Sequence, residues 1–390
     1  MNCAQKRRIM TMRHGYMIAF LSVLTVSYAL WKYELDRPKL VHKPQDKVRT
    51  YTHNEIAKNR TMYIQAKFGN SCYKTQVYDT WWQTFTLPPG LKRSNQSDCQ
   101  KRLPNVIIIG VKKCASDALR DFLIVHPSIV YSHAPKTYNG IKVTGSGEAH
   151  FLDRHYDHGI DFYRNLFPYS KPGDTLLEKT PQYLNFPDDV PKRIYEDVGP
   201  HTKIIAIVCD PVTRAISDYV FEKKHRFYKY LVPNMIYTIR SNFSDSVTEN
   251  SRQGNIDAGN DLINVGIYAY HLVRWTEYFP LSQIHLVDGG VFRNDPLSEL
   301  RRLETFLGLP VFFRNEHFFR NPDTNMFCVA FPEHRCLSKE KKGQHHPDVD
   351  VKTIDRLREF YRPYDRQLVE MFDRIFSWMD TDILLPRGRH

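Results

Sequence analysis

The sequence predicts an α/β domain, a central parallel sheet flanked by helices, at about residues 101–380. Short continuous apolar runs alternate along it with segments of helical periodicity. Uninterrupted apolar runs are typical of strands buried on both faces, and their alternation with helices is typical of a parallel sheet. Because such sheets bind ligands at the carboxyl ends of their strands, we expect the functional residues in the turns that follow the strands.

The first strand is predicted at Asn105–Val111, "NVIIIGV", and a helix follows in "SDALRDFLIVH" with Ser116 as its N-cap residue. Lys112 and Lys113 lie in the turn between them. A lysine and the unpaired N–H groups at the start of a helix suit a phosphate ligand, yet the pattern G-x-x-x-x-G-K-[ST] is absent. Two solvated lysines in an ordinary turn are the alternative interpretation.

The remaining elements continue this alternation. Strands are predicted in "TLLEKTP", "KIIAIVCD" and "QIHLVDGG", which are residues 175–181, 203–210 and 283–290. Helices are predicted after Pro211, which suits a first helical turn, and at 296–307 and 351–376.

The first hundred residues are predicted to precede this domain. Residues 15–31 carry no charge, would span about 25 Å as a helix, and follow the basic residues of 1–14. Because positive residues stay cytoplasmic, we predict a cytoplasmic tail at 1–14, a transmembrane signal-anchor at 15–31 and a lumenal stem at 32–100. A cleaved signal peptide is the alternative.

The net charge of +12 is concentrated near the N-terminus, since residues 1–60 contain twelve Lys and Arg against four Asp and Glu. The domain itself is mildly basic and has neither zinc-finger spacing nor a basic region joined to heptads, so no nucleic-acid partner is predicted. His345 and His346 are adjacent, which is poor metal-ligand geometry, and no Cys or carboxylate lies at zinc spacing, so no metal is predicted.

Seven cysteines agree with an oxidising lumen. Cys328 and Cys336 are predicted to form a local disulfide. The other candidates for pairing are Cys72 with Cys99 and the two left over, Cys114 and Cys209; the sequence leaves this connectivity open. Candidate glycosylation sequons stand at Asn59, Asn95 and Asn242.

Several side chains near the predicted strand ends are suited to chemistry. In "GEAHFLD", Glu148 and His150 share one side of an extended segment, and a carboxylate held by a neighbouring His is a suitable general base for a hydroxyl. Lys179 stands at a strand end, and Arg214 and Ser217 lie in the first turns of a helix, within reach of an anion. Each of these residues also has an ordinary interpretation as a solvated side chain or a cap.

Taken in order, the motifs of residues 103–378 resemble those of the heparan sulfate glucosaminyl 3-O-sulfotransferases. The resemblance rests on the segments "LPNVIIIGVKK", "HFLDRHYDHGIDFYRNLFP", "LLEKTPQYL", "DPVTRAISDY", "GIYAYHLVRW", "FCVAFPEHRCL", "KKGQHHP" and "LREFYRPY". It implies a P-loop-kinase-like sulfotransferase fold in a type II enzyme of the Golgi membrane. It also implies sulfuryl transfer from 3′-phosphoadenosine 5′-phosphosulfate to a glucosamine hydroxyl of heparan sulfate or a related glycosaminoglycan.

The same resemblance implies roles for individual residues. Glu148 takes the acceptor proton with His150 and Asp153 around it, while Lys113 and Lys179 neutralise charge on the transferring group and the leaving phosphate. The residues implied to bind the donor are Lys113, Cys114, Ala115, Ser116, Asp117, Cys209, Arg214, Ser217, Lys342, Gly343, Gln344, His345 and His346. Those implied to contact the acceptor are Lys112, Glu148, His150, Asp153, Arg154, Lys179, Thr180, Pro181, Gln182 and Trp275.

The chain departs from the family pattern at several of these positions. Cys114-Ala115 stands where the family has Gly-Gly, and Cβ atoms restrict positive φ. Asp117 replaces an arginine that faces the polysaccharide, and Cys209 replaces the arginine that grips the 3′-phosphate. Further departures are Phe221 in place of a substrate-contacting glutamine, Gln344 in place of a nucleotide-contacting arginine, and a longer segment between His126 and Glu148.

Two hypotheses follow from this pattern. The chain is a sulfotransferase with an altered donor grip or acceptor, or it is a non-catalytic lumenal glycan-binding protein on the same fold. Cys114 and Cys209 would both lie at strand ends beside the donor phosphates. They would form a disulfide if their Cα atoms lie within about 7 Å of each other.

Overall fold

The structure is a computed structural model, and it describes residues 60–68, 72, 98–131, 134, 137–143, 147–225, 236–249, 254–336 and 345–380. Among the helices of these ranges, none combines the length and apolarity that a membrane crossing requires. The predicted cytoplasmic tail, the signal-anchor and most of the stem lie outside the described residues, as do Asn59, Asn95, Lys342, Gly343 and Gln344.

A five-stranded parallel sheet forms the centre of the domain. Its strands are β1 (Val106–Gly110), β2 (Ile129–Val130), β3 (Thr175–Lys179), β4 (Lys203–Val208) and β5 (Ile284–Asp288), in the spatial order β2-β3-β1-β4-β5. All four neighbouring pairs are parallel. Every residue of β1 is buried, as a strand covered on both faces requires. The predicted α/β class, with a parallel sheet flanked by helices, is confirmed.

The other elements surround this sheet. The α-helices are α1 (Arg60–Phe68), α2 (Ser116–Leu123), α3 (Ile160–Leu166), α4 (Val190–Arg193), α5 (Pro211–His225), α6 (Phe243–Ser246), α7 (Asp261–Asn264), α8 (Tyr268–Trp275), α9 (Gly289–Asn294), α10 (Pro296–Leu307) and α11 (Val351–Phe372). The π-helical turns are Phe151–His155 and Ile194–Val198. Short antiparallel pairs join Gln100–Lys101 to Tyr169–Ser170, Thr137–Tyr138 to Ile141–Lys142, and Phe318–Arg320 to Phe327–Val329.

Helix boundaries differ from the predictions in two places. The N-cap residue of α2 is Ala115, which makes no side-chain cap bond, so the prediction of Ser116 as N-cap is wrong. Ser116 is instead the first helical residue. α11 ends at Phe372, short of the predicted end at residue 376, and its C-cap residue Asp373 has φ of 47°. α10 has the predicted bounds, with the Asp295 side chain accepting from Ser298 N.

Helix α1 lies within the segment predicted as stem, yet it belongs to the folded domain. Tyr63 is buried, and its hydroxyl donates to Val125 O at 2.7 Å. The Lys67 side-chain nitrogen donates to Ile124 O at 2.6 Å, beyond the last turn of α2, where it satisfies a free carbonyl group. α1 therefore packs against the segment that follows α2, although it precedes residue 101.

Three disulfides lie in the described residues: Cys72–Cys99, Cys114–Cys209 and Cys328–Cys336. The pairing of Cys328 with Cys336 is as predicted. The two pairings that the sequence left open are resolved, because the fold brings each pair of Cα atoms to 5.5 Å.

Candidate active site

Three turns meet at the carboxyl edge of the sheet, after β1, β3 and β4. Hydrogen bonds join them to neighbouring strands: Val111 N donates to β4 at 3.0 Å, and Thr180 N donates to β1 at 3.1 Å. Gly289, just after β5, packs so closely that a Cβ atom there would lie 2.8 Å from Val208 O. The turns that the sequence marks as functional therefore form one continuous surface.

The loop after β1 adopts a left-handed backbone at residues that are not glycine. Lys113 has φ of 74° and Ala115 has φ of 72°. This conformation costs an L-residue about 1–2 kcal/mol. Cys114 lies between them and is bonded to Cys209, 95 residues away at the end of β4. A cross-link between residues so far apart in sequence raises the free energy of unfolding by about 4–5 kcal/mol, because it lowers the entropy of the unfolded chain. This is enough to offset the strain of the loop.

Glu148, His150 and Asp153 form a hydrogen-bonded chain at the start of the first π-helical turn. His150 Nδ1 lies 2.9 Å from Asp153 Oδ2, and His150 Nε2 lies 3.3 Å from Glu148 Oε2. Burial lowers the pKa of His150, but the Asp153 carboxylate outweighs it, and the pKa lies above its ordinary value. A protonated His150 donates from both ring nitrogens and so fixes the orientation of the Glu148 carboxylate.

Lys179, the last residue of β3, is buried beside Glu148. Its ammonium donates to Glu148 Oε1 and, at 2.8 Å, to Asp117 Oδ1. Burial lowers the pKa of Lys179, but the two carboxylates outweigh it and raise the pKa above its ordinary value. Burial raises the pKa of Glu148, but Lys179 outweighs it and holds the pKa below its ordinary value. At neutral pH the site therefore contains a carboxylate–ammonium ion pair.

Glu178 is a buried acid of the site that sequence reasoning missed. The Thr180 hydroxyl donates to its carboxyl, and burial raises the pKa of Glu178 to about 8. Together with Lys179 and Tyr131 it lines a small cavity of about 10 Å³. Glu178 is therefore a neutral acid at pH 7. The available signal was a single carboxylate inside the apolar run "TLLEK", which a buried strand rarely contains.

A second cluster of charges lies behind the β1 loop. The Lys112 ammonium lies 2.7 Å from Asp218 Oδ1 and 2.7 Å from Glu222 Oε1, and Arg214 Nη1 lies 3.0 Å from Asp218 Oδ2. All four side chains are buried. The resemblance implied that Lys112 contacts the acceptor and that Arg214 contacts the donor. In this structure both side chains are instead buried and paired with acidic residues of α5. The acidic partners stand four residues apart on α5, a spacing that the sequence analysis did not use.

Lys113 is the lysine of the β1 turn that remains at the site. It is half-buried, with its ammonium 4.4 Å from the centre of the Phe221 ring, and burial is the main cause that lowers its pKa. Burial is the main cause that lowers the pKa of His346, and the charges of Arg293, His345 and Lys113 add to it, so His346 lies within electrostatic range of this lysine. Ser217 is half-buried on α5.

The implied acceptor contacts divide into two groups. Glu148, His150, Asp153 and Lys179 are together, as described above. Trp275 is 0% exposed, so an acceptor contact by its ring is wrong for this structure. Thr180, Pro181 and Gln182 are also buried, and the Gln182 side chain accepts from Arg154 Nη2.

Two further predictions concern metal binding and glycosylation. Within the described part of the chain, no group of three or more His, Cys, Asp and Glu side chains is arranged to hold a metal ion. Asn242 is exposed, and its side chain caps α6 by accepting from Asp245 N at 2.8 Å.

Residues 103–374 match the family described as the sulfotransferase domain. The chain belongs to the sulfotransferase domain family. This sulfotransferase domain contains the charged clusters around Lys179 and Lys112, the Cys114–Cys209 disulfide and the whole parallel sheet.

The sulfotransferase domain is also similar to curated proteins. The chain is 37% identical over 295 residues to heparan sulfate glucosamine 3-O-sulfotransferase 3A1 of Homo sapiens, covering 75% of this chain and 66% of that protein. It is 38% identical over 282 residues to heparan sulfate glucosamine 3-O-sulfotransferase 3B1 of Homo sapiens, covering 71% and 65%. The alignments thus span slightly less than two thirds of these two relatives. For heparan sulfate glucosamine 3-O-sulfotransferase 6 of Mus musculus the identity is 35% over 283 residues, covering 72% and 75%.

Among solved structures, the sulfotransferase from Alicyclobacillus acidocaldarius aligns with a TM-score of 0.46 and 21% identity, covering 70% of this chain and 98% of that chain.

Proposed function

We propose that the chain transfers a sulfuryl group from 3′-phosphoadenosine 5′-phosphosulfate to the 3-hydroxyl of a glucosamine in heparan sulfate or a related glycosaminoglycan. Glu148 is the general base. The observation that carries the proposal is the position of the Glu148 carboxylate between His150 Nε2, at 3.3 Å, and the Lys179 ammonium at the carboxyl edge of the sheet. The names of the relatives support this choice of acceptor. The proposed location is the Golgi lumen, behind the signal-anchor at 15–31.

In the proposed reaction the acceptor oxygen attacks sulfur in line with the bond to the leaving phosphate. The new O–S bond forms as the S–O bond to the phosphate breaks, which yields a sulfate ester and adenosine 3′,5′-bisphosphate. The hydroxyl proton passes to Glu148, which His150 and Asp153 keep oriented. Negative charge develops on the leaving phosphate, and Lys179 and Lys113 stabilise it there.

The ion pair between Glu148 and Lys179 gives this scheme a natural coupling. While Lys179 contacts Glu148, the low pKa of the carboxylate makes it a weak base. When the lysine turns to the leaving phosphate, Glu148 loses one of its two cationic partners and keeps only His150, and its pKa rises toward the ordinary value. A higher pKa makes the carboxylate a better proton acceptor at the moment of transfer.

A non-catalytic glycan-binding protein is the second candidate. The observation that favours it is that two positions near the β4 turn are already engaged within the protein. Cys209, which stands in place of an arginine, is bonded to Cys114, and Arg214 is paired with Asp218. Such a protein would bind a polyanion and would not bind the nucleotide.

The test is sulfate transfer by the full chain from labelled donor to a panel of glycans that includes heparan sulfate. We expect transfer, and we expect Glu148→Gln to reduce its rate by about 10²- to 10⁴-fold, because the base is lost while the geometry is kept. Asp161→Asn, which removes an exposed acid on α3, is the control and should leave the rate unchanged. Absence of transfer to every glycan rejects the proposal. Glycan binding without nucleotide binding supports the second candidate.

A further inference from the structure

The Lys179 ammonium has two carboxylate partners, and only one of them belongs to the proposed catalytic chain. Glu148 is that partner. The other is Asp117, whose Oδ1 atom lies 2.8 Å from Lys179 Nζ. The lysine side chain is 1% exposed, whereas that of Asp117 is 38% exposed. The negative group is therefore the one that faces an incoming ligand, and the lysine lies behind it.

Asp117 also has a second cation within reach. Its Oδ1 atom accepts from Arg120 Nη1 at 2.9 Å, one turn later on α2. Arg120 is buried and held in place by Asp121, which accepts from its Nε at 2.9 Å and from its Nη2 at 2.7 Å. If Asp117 releases Lys179, its carboxylate keeps a charged partner, so the exchange leaves no buried charge unpaired.

Asp117 is the second residue of α2, directly after the β1 loop. Unpaired N–H groups at the start of a helix attract anions, and an acidic side chain in the first turn already supplies negative charge there. A phosphate that enters this loop therefore meets an internal anion at the same place and competes with it for the same lysine.

We infer that Asp117 sets the donor affinity of this site by competing with the donor phosphates for Lys179. This inference rests on the proposed function and extends it to a residue with no part in proton transfer. In the empty site Asp117 holds Lys179, and on donor binding the carboxylate moves to Arg120 alone. The exchange weakens donor binding relative to a site with a neutral residue at position 117.

The test is calorimetric titration of the full chain with adenosine 3′,5′-bisphosphate. We expect Asp117→Asn to bind the nucleotide roughly three- to tenfold more tightly, because one charged partner of Lys179 is removed. Its thermal unfolding temperature should fall, since the helix loses a favourable acidic residue in its first turn. A residue that only stabilised the fold would lower both quantities, so the opposite directions identify competition. Asp117→Ser provides a second variant if the amide variant folds poorly.

Two controls separate this competition from the general effect of removing a negative charge. Asp121→Asn removes the same charge from the same arginine, and in the described residues its carboxylate pairs with Arg120 and Arg335 and with no lysine. It should leave the affinity nearly unchanged. In the background of Lys179→Gln, the Asp117→Asn change should have no effect, because the contested cation is absent.

Each outcome of the titration has one meaning. Tighter binding by Asp117→Asn alone, lost with Lys179→Gln, supports the inference. Unchanged or weaker binding, or an equal gain in Asp121→Asn, overturns it while the proposed function stands. If the unmodified chain binds no nucleotide, the proposed function itself fails.

Discussion

Two buried lysines of this domain each have one glutamate and one aspartate as partners, but the partners differ in their exposure to solvent. Lys179 lies between Glu148 and Asp117, whose side chains are 16% and 38% exposed. Lys112 lies between Asp218 and Glu222, whose side chains are 0% and 3% exposed. Each of the two ammonium groups has two carboxylate partners, so the number and sign of its partners do not distinguish one lysine from the other. Access to solvent does.

The difference explains why one cluster is suited to chemistry and the other to structure. A carboxylate at the edge of a cleft can exchange its lysine partner for a ligand or for water, because the exchange leaves no charge without solvation. A carboxylate inside the core cannot, since removing its partner leaves a buried unpaired charge. The open cluster can therefore respond to a substrate, while the closed cluster holds α5 against the β1 loop.

The largest expected effect comes from removing each lysine in turn. Lys112→Met should lower the free energy of unfolding by about 3–5 kcal/mol, because Glu222 and part of Asp218 lose their buried counter-ion. Lys179→Met should cost about 1–2 kcal/mol, because Glu148 and Asp117 can be hydrated and Asp117 keeps Arg120. Denaturant unfolding measures both. Equal losses in the two variants would show that the clusters do not differ as the exposures indicate.

A second prediction concerns Glu178, which is closed to solvent although it adjoins the open cluster. Its folded-state pKa of about 8 lies above the ordinary value of about 4.3, so the folded chain binds more protons between these values. Stability should therefore fall as pH rises from about 5 to 8, by up to about 1.4 kcal/mol per pH unit from this group. Glu178→Gln should remove that contribution. Parallel stability–pH curves for the two proteins would contradict the assignment.

The smallest expected effect is at Ala115, in the loop between the two clusters. Ala115→Gly should raise the free energy of unfolding by about 0.5–1 kcal/mol, because glycine adopts φ of 72° without strain. Ala118→Gly, inside α2, is the matched control and should lower it by about 1 kcal/mol. If both changes destabilise the protein equally, the loop is not strained at Ala115.

The sheet and the hydrogen-bonded chain of Glu148, His150 and Asp153 were accessible from sequence because both depend on local pattern. The continuous apolar runs of β1 and β4 can be buried along their whole length as strands that are covered on both faces. The residue that follows such a strand then lies at the carboxyl edge of the sheet. Glu148, His150 and Asp153 meet because they are separated by a few residues in one turn. Lys179 joins them because His150 N donates to the side chain of Thr180, the next residue after Lys179, at 3.4 Å, so the end of β3 lies beside this turn.

The predictions that failed concern side chains whose partners are distant along the chain. Nothing in "KK" distinguishes Lys112 from Lys113, and only the position of α5 decides that the first is enclosed by Asp218 and Glu222. Trp275 was assigned to the acceptor, yet the packing of α8 buries its ring completely.

The sequence by itself determined the α/β architecture, the strand-end location of the site and the grouping of Glu148, His150 and Asp153, because these follow from periodicity and short spacing. The tertiary structure alone decided three matters. It brought Cys114 to Cys209 across 95 residues, it enclosed one lysine and left the partners of another exposed, and it placed Asp117 on Lys179. The reason is physical: burial and pairing depend on which distant segments pack together, and no local pattern records that choice.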